Sequence, residues 1–207
     1  TLKSHYTLLI QPCSFVPDPP FLKETMVLKV SAQGRQNRQY QFVRKEEKPM
    51  HALENITYDE LHEGDYATFT RSLTEEELVL FAAASGDVNP ASLDAEYASH
   101  TTYKERIGHG MWTGSLISAA LSTVMPGPGT IHLEQQLKFD LPVKVGDTLT
   151  VKLTVKEKGE RNRVTFQCEV INHNNELVVE GESVVVAPTE KVTLERPTLP
   201  RIHIDNQ

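Results

Sequence analysis

The chain has 207 residues, a formal net charge of −7 and a pI near 5.6, which disfavours polyanionic partners such as nucleic acid and excludes a basic-groove function. With 39% apolar and 24% charged residues it has the composition of an ordinary soluble protein, long enough to bury a core without disulfide staples. Cys13 and Cys168 lie far apart and form no metal-ligand spacing with histidine, so two free thiols in a reducing, cytoplasmic compartment are expected.

The first apolar run, residues 7–10, is too short for a signal core or a membrane span, although a chain that begins with Thr leaves a removed leader or a trimmed piece open. Residues 1–52 read as a small β appendage. Strand-like pieces (HYTLLI, MVLKV, YQFV) alternate there with Pro-rich or polar stretches (PDPP, SAQGRQNRQ). Their weak alternation leaves a disordered leader or a partner-binding arm as the alternative. The charged run RKEEKP closes this part, and the main domain is expected over residues 53–188.

Residues 74–85 carry a strong helix start: Ser72 or Thr74 can cap, three glutamates complement the positive end, and Leu78, Phe81 and Ala82 form an apolar stripe. Gly86 stops that helix, and Asp87, Asn89 and Pro90 form a turn cluster. Asp87 thereby stands on rigid backbone, which suits a catalytic carboxylate and equally a plain turn. A second helix spans residues 111–124, apolar or small on nearly every side, so it is buried all round, the filling about which a sheet wraps. The sheet follows in the remaining chain. Ile131, Leu133, Gln135, Leu137, Phe139 and Leu141 alternate with polar residues and should face inward, as should Leu149, Val151, Leu153 and Val155, then Val164, Phe166, Cys168 and Val170. Residues 177–186 add another strand. Segregated helices followed by hairpin-length strands mean an α+β fold with an antiparallel sheet. Residues 189–207, with Pro197 and Pro200, read as a linker-like tail or a peptide lying on the surface.

The order of capped helix, SGDxNP turn, short helix, GHGM, buried small-residue helix and long strands resembles the MaoC-like (R)-specific enoyl-CoA hydratases over residues 56–188. Closer still, GHGMWTGSLISAAL, PGPGTIHLEQQLKFDLPVKVGDTLTVKLTV and VVVAPTEK are similar to the hydratase-like domain that precedes a phosphate acetyl/butyryltransferase in bifunctional chains. The resemblance implies a hot-dog fold, a homodimer, an acyl-CoA thioester substrate, no cofactor and no metal. In that family an Asp and a His activate a water that adds across a trans-2-enoyl thioester, while a backbone N–H polarises the thioester carbonyl. Such an addition needs a base for water, a proton donor for the α carbon and a dipole for the enolate between them.

Carried over position by position, the Asp is Asp87, the amide donor is Gly110, the motif's Asn and Pro are Asn89 and Pro90, and a pocket-lining serine is Ser118. The bland alternatives are a tight turn at Gly110 and a Ser118 hydroxyl bonded back to its own helix. Asn89, His109 and Ser118 are the expected substrate-binding positions, with a structural bond beside the oxyanion turn as the other reading of His109, inside GHGM. The family's DxNPxH is DVNPAS here, so Ser92 occupies the histidine position. A serine hydroxyl orients water but does not take its proton near neutral pH. The resemblance therefore implies either a hydratase weakened by Ser92 or a catalytically silent acyl-CoA-binding domain, with a thioesterase as a third reading. His100, after the short 94–99 stretch, is a candidate to fold back toward Asp87 in place of the missing histidine, against the simpler reading of a solvated loop residue. Lys138, Lys144, Arg161 and Arg163 are candidates to meet the CoA phosphates, against the simpler reading of a solvated sheet face.

Overall fold

The computed structural model describes the strands Met26–Ala32 and Arg38–Arg44, residues 52–200, and residues 202 and 204. The chain divides into two units, Thr1–Met50 and His51–Gln207. In the first, β1 (Met26–Ala32) and β2 (Arg38–Arg44) pair antiparallel from Met26↔Arg44 to Ala32↔Arg38. These strands contain the MVLKV and YQFV pieces; HYTLLI lies outside the described residues.

In the second unit β3 (Ala52–Glu54) and a 3₁₀ turn (Tyr58–Glu60) lead to β4 (Tyr66–Ser72) and α1 (Glu75–Ser85). Thr74 caps α1 reciprocally: its hydroxyl accepts the Glu77 amide at 3.2 Å while the Glu77 carboxylate accepts the Thr74 amide at 3.4 Å. Gly86 ends α1 at φ +77°, a left-handed conformation that a residue with a Cβ adopts only under strain, and its amide reaches Ala82 O at 2.8 Å. Short α2 (Pro90–Leu93) and α3 (Ala95–Ser99) follow, then α4 (Gly110–Thr123) and the strands β5 (Ile131–Phe139), β6 (Thr148–Lys158), β7 (Arg163–Asn172) and β8 (Leu177–Val186).

Strands β4 to β8 form one antiparallel sheet in the order β4-β6-β7-β8-β5. The helix α4 packs against β4, β5 and β6 and buries Trp112, Leu116, Ile117, Ala120 and Leu121. The inner face of β6 and β7 is as the alternation requires. Leu149, Val151, Leu153, Val155, Val164, Phe166, Cys168 and Val170 are all buried, and together with α4 they make the core.

β5 departs from its expected pattern. A bulge between His132 and Glu134 inserts one residue, so Ile131 pairs Val186 while Leu137 pairs Gly181 and Phe139 pairs Val179. The strict alternation predicted for residues 131–141 is thus interrupted, and β5 lies at the sheet edge, where α4 covers little of it. Ile131 is 60%, Leu133 42%, Phe139 46% and Leu141 40% exposed, and only Leu137 is half-buried among these residues.

The stretch expected as a linker-like tail carries a strand. β9 (Thr193–Glu195) pairs antiparallel with β3. Asn55, fully buried, fixes that return: its amide group donates to Glu190 O at 2.8 Å and Pro128 O at 3.2 Å, and its carbonyl accepts the Val192 amide at 2.9 Å. Proline blocks helix and central-strand pairing but leaves a short edge strand free to form.

Candidate active site

The SGDVNP string folds through its own short side chains. Ser85 Oγ donates to Phe81 O at 2.6 Å and accepts the Asp87 amide at 3.2 Å. Asp87 Oδ1 then accepts the Asn89 amide at 3.3 Å, and Asn89 Oδ1 accepts the Ala91 amide at 3.0 Å, capping α2 with Pro90 at its first position. Two consecutive Asx turns therefore present Asp87 on exposed but bonded backbone. Ser92 sits on α2 at 3% exposure. Among the described residues its hydroxyl makes no hydrogen bond, to the Asp87 carboxylate or to any other group.

Residues 107–109 run beside this turn and tie it to the start of α4. The Ile107 amide donates to Ala91 O at 3.2 Å, and the Gly108 amide to Val143 O at 2.7 Å. His109 Nε2 lies 2.9 Å from Asp87 O. The His109 ring is 4% exposed and leans on Phe81, with centroids 5.3 Å apart at 41°. Its Nδ1 is buried with no partner among the described residues. The bond spans 22 residues and involves a backbone carbonyl, so no motif spacing announces it; the pairing of His109 with Phe81 is equally silent in the sequence.

Gly110 opens the 14-residue α4, and its amide, exposed at the helix N-terminus, donates to no carbonyl among the described residues. Such an orphan N–H combines hydrogen-bonding capacity with the positive end of the helix, which suits an oxygen that gains charge during reaction. Ser118 lies half-buried on the same helix. Ser115, Ser122 and Thr123 donate back to helix carbonyls at 2.6, 2.9 and 2.7 Å, whereas Ser118 makes no such bond. An open groove of about 350 Å³ between β4, α1 and α4 is lined by Phe69, Leu80, Phe81, Trp112 and Leu116.

His100 does not fold back toward Asp87: its Nδ1 stays within 2.8 Å of Glu96 O on its own short helix. Lys138 is held by Asp140 at 2.8 Å and Glu180 at 3.1 Å, and Lys144 by Glu105; these carboxylates raise both lysine pKa values and occupy the cations. They behave as a paired surface. Arg161 lies in the β6–β7 turn at φ +56°, and Arg163 opens β7. Among the described residues no three His, Cys, Asp or Glu side chains converge as a metal site, and no helix is long and apolar enough to cross a membrane.

A five-stranded antiparallel sheet packed on one long helix, with the Asp87 turn tied by a histidine to the start of that helix, defines a hot-dog domain; the helix is not buried all round as its composition predicts, because Met111, Ser115 and Ser122 are exposed. The chain belongs to the MaoC-like family: the family model described as "MaoC like domain" matches residues 59–179. It is 41% identical over 134 residues to an (R)-specific enoyl-CoA hydratase of Rhodospirillum rubrum, covering 63% of this chain and 91% of that protein. A 3-hydroxybutyryl-CoA dehydratase of Methylorubrum extorquens is 35% identical over 140 residues, covering 67% of this chain and 88% of that protein. Among solved structures, the unliganded R-hydratase PhaJ1 of Pseudomonas aeruginosa superposes with a TM-score of 0.72 at 52% identity, covering 74% of this chain and 99% of that one.

Proposed function

We propose that this protein is an (R)-specific enoyl-CoA hydratase that interconverts trans-2-enoyl-CoA and 3-hydroxyacyl-CoA in fatty acyl metabolism. The observation that carries this reading is the Asp87 turn held against the start of α4, where the Gly110 amide is free. Asp87 takes a proton from water as the oxygen adds to the β carbon. The Gly110 N–H stabilises the enolate oxygen of the thioester, and the proton then returns to the α carbon. Asn89 builds the turn, and Ser118, whose hydroxyl has no helix partner, meets the substrate. Ser92 orients water without taking its proton, so Asp87 works without the family histidine and turnover is correspondingly slow.

The same position favours a second reading, a silent acyl-CoA-binding domain, because a lost general acid/base group typically costs about 10²- to 10⁴-fold. The two are separated by the absorbance of the conjugated enoyl thioester, followed with crotonyl-CoA and longer substrates. Slow loss of absorbance that Asp87→Ala lowers by about 10²-fold or more supports the hydratase. An inert wild type that binds acyl-CoA supports the silent domain, and release of free CoA supports a thioesterase.

The working unit is a homodimer closed across the apolar edge of β5, and the protein is cytoplasmic, in keeping with a free, buried Cys168. Residues 53–188 form the catalytic domain, 1–52 an appendage, and 189–207 a tail that starts on the domain through β9.

A further inference from the structure

We infer that His109 is a positioning residue that clamps the Asp87 turn to the oxyanion end of α4 through a hydrogen bond to the Asp87 carbonyl. This inference rests on the hydratase reading for its effect on rate, and on geometry alone for the clamp. A carbonyl oxygen only accepts, so the contact of 2.9 Å requires the hydrogen on His109 Nε2. In the neutral ring Nδ1 is then the bare nitrogen, enclosed and without a protein partner among the described residues.

Packing alone does not call for a histidine here, because an apolar ring in the same place would also lie against Phe81. What an apolar ring lacks is the Nε2 hydrogen that reaches Asp87. His109 is also the residue just before Gly110, so the clamp fixes the distance between the carboxylate that handles the proton and the amide that receives the charge. The ring itself is 4% exposed and its contacts are Phe81 and the Asp87 carbonyl, so the role argued for it is positioning in place of the substrate binding expected from the sequence. Its contribution is geometric.

Two variants divide packing from clamping. His109→Phe keeps the ring against Phe81 and removes the donor; His109→Gln places an amide N–H near the Nε2 position. Expected are a His109→Phe melting temperature close to wild type, faster hydrogen exchange at the Val88 and Asn89 amides, and kcat lowered on the order of 10- to 100-fold with KM little changed. His109→Gln should recover most of both. In the wild type, long-range ¹H–¹⁵N spectra should place the ring hydrogen on Nε2, a reading available even if the phenylalanine variant fails to fold.

A neutral ring with its hydrogen on Nδ1 and a bare Nε2, or exchange at residues 88 and 89 unaltered in both variants, overturns the clamp. Full kcat in His109→Phe despite faster exchange overturns its role in rate. If the wild type hydrates nothing while exchange and tautomer follow expectation, the hydratase reading fails and the clamp stands.

Discussion

On the proposed hydratase reading, Ser92 is the residue on which the rate depends. It is buried on a four-residue helix capped by Asn89, one turn beyond Asp87, and its hydroxyl has no partner among the described residues. Ser92→His restores a group able to hold and release a proton at neutral pH, and hydration of crotonyl-CoA should rise by about 10²- to 10⁴-fold. A folded variant with no gain would mean that the base is not reconstituted at this position. Cys168 gives a second prediction at this scale. Burial pushes its thiol up to about 11 from an ordinary value of 9.0, with Ser183 Oγ 3.2 Å from the sulfur. Between those values the folded state holds a proton that the unfolded state has lost, so stability falls as pH rises from about 9 to 11. Urea titrations should show that limb in the wild type and lose it in Cys168→Ala. The Asp87 turn was legible in the sequence because Gly, Asx and Pro act on backbone within two or three residues. The His109 clamp was not, because nothing in the string GHGM indicates which carbonyl across 22 residues the ring meets.

At the scale of elements, helix ends and inner strands followed from local pattern, whereas the edges depended on pairing that pattern does not carry. The bulge in β5 adds one residue and shifts a face that strict alternation would have turned inward. Across the same pairing, a Cβ on Gly181 would lie 1.9 Å from the Gln136 carbonyl oxygen of β5. A backbone atom cannot turn aside as a side chain can. Gly181→Ala should therefore push β5 off β8 and lower stability by about 1–3 kcal/mol in urea unfolding, as over-filled cores do.

The β3–β9 pairing was hidden by its short strands, and its anchor titrates. The Thr57 amide donates to the Glu60 carboxylate at 2.8 Å and Lys191 reaches it at 2.9 Å, which together lower the Glu60 pKa to about 2 from 4.5. The unfolded state binds the proton first, so the contribution is complete above about 4.5 and is lost as pH falls toward 2. Glu60 is solvent-exposed, so screening keeps this limb shallow. Thermal melts over that range should be steeper in pH for the wild type than for Glu60→Gln.

For the whole molecule, the decisive feature is the inequality of the two sheet edges. Apart from the exposed Tyr66 at its start, β4 presents Thr68, Thr70 and Ser72 along its exposed side, with Thr70 and Ser72 bonded to Thr150 and Thr148 of β6. β5 instead leaves Ile131, Leu133 and Phe139 in solvent, and Leu141 just beyond its end and Met111 of α4 are exposed as well. An open edge with contiguous apolar side chains invites another strand, and two identical edges meet most simply about a twofold axis. Such a pairing would also bear on the site. The Phe139 ring lies 3.5 Å from where a Cβ on Gly110 would stand, so whatever orders β5 also orders the surroundings of the proposed oxyanion amide. Light scattering should give a mass twice the 23.2 kDa of one chain at micromolar concentration. Ile131→Lys combined with Leu133→Glu should halve that mass, and specific hydratase activity should fall both in this variant and on dilution of the wild type. A wild type that stays monomeric at high concentration, or a charged monomer that keeps full activity, would separate the β5 edge from catalysis and leave the half-site on each chain sufficient by itself.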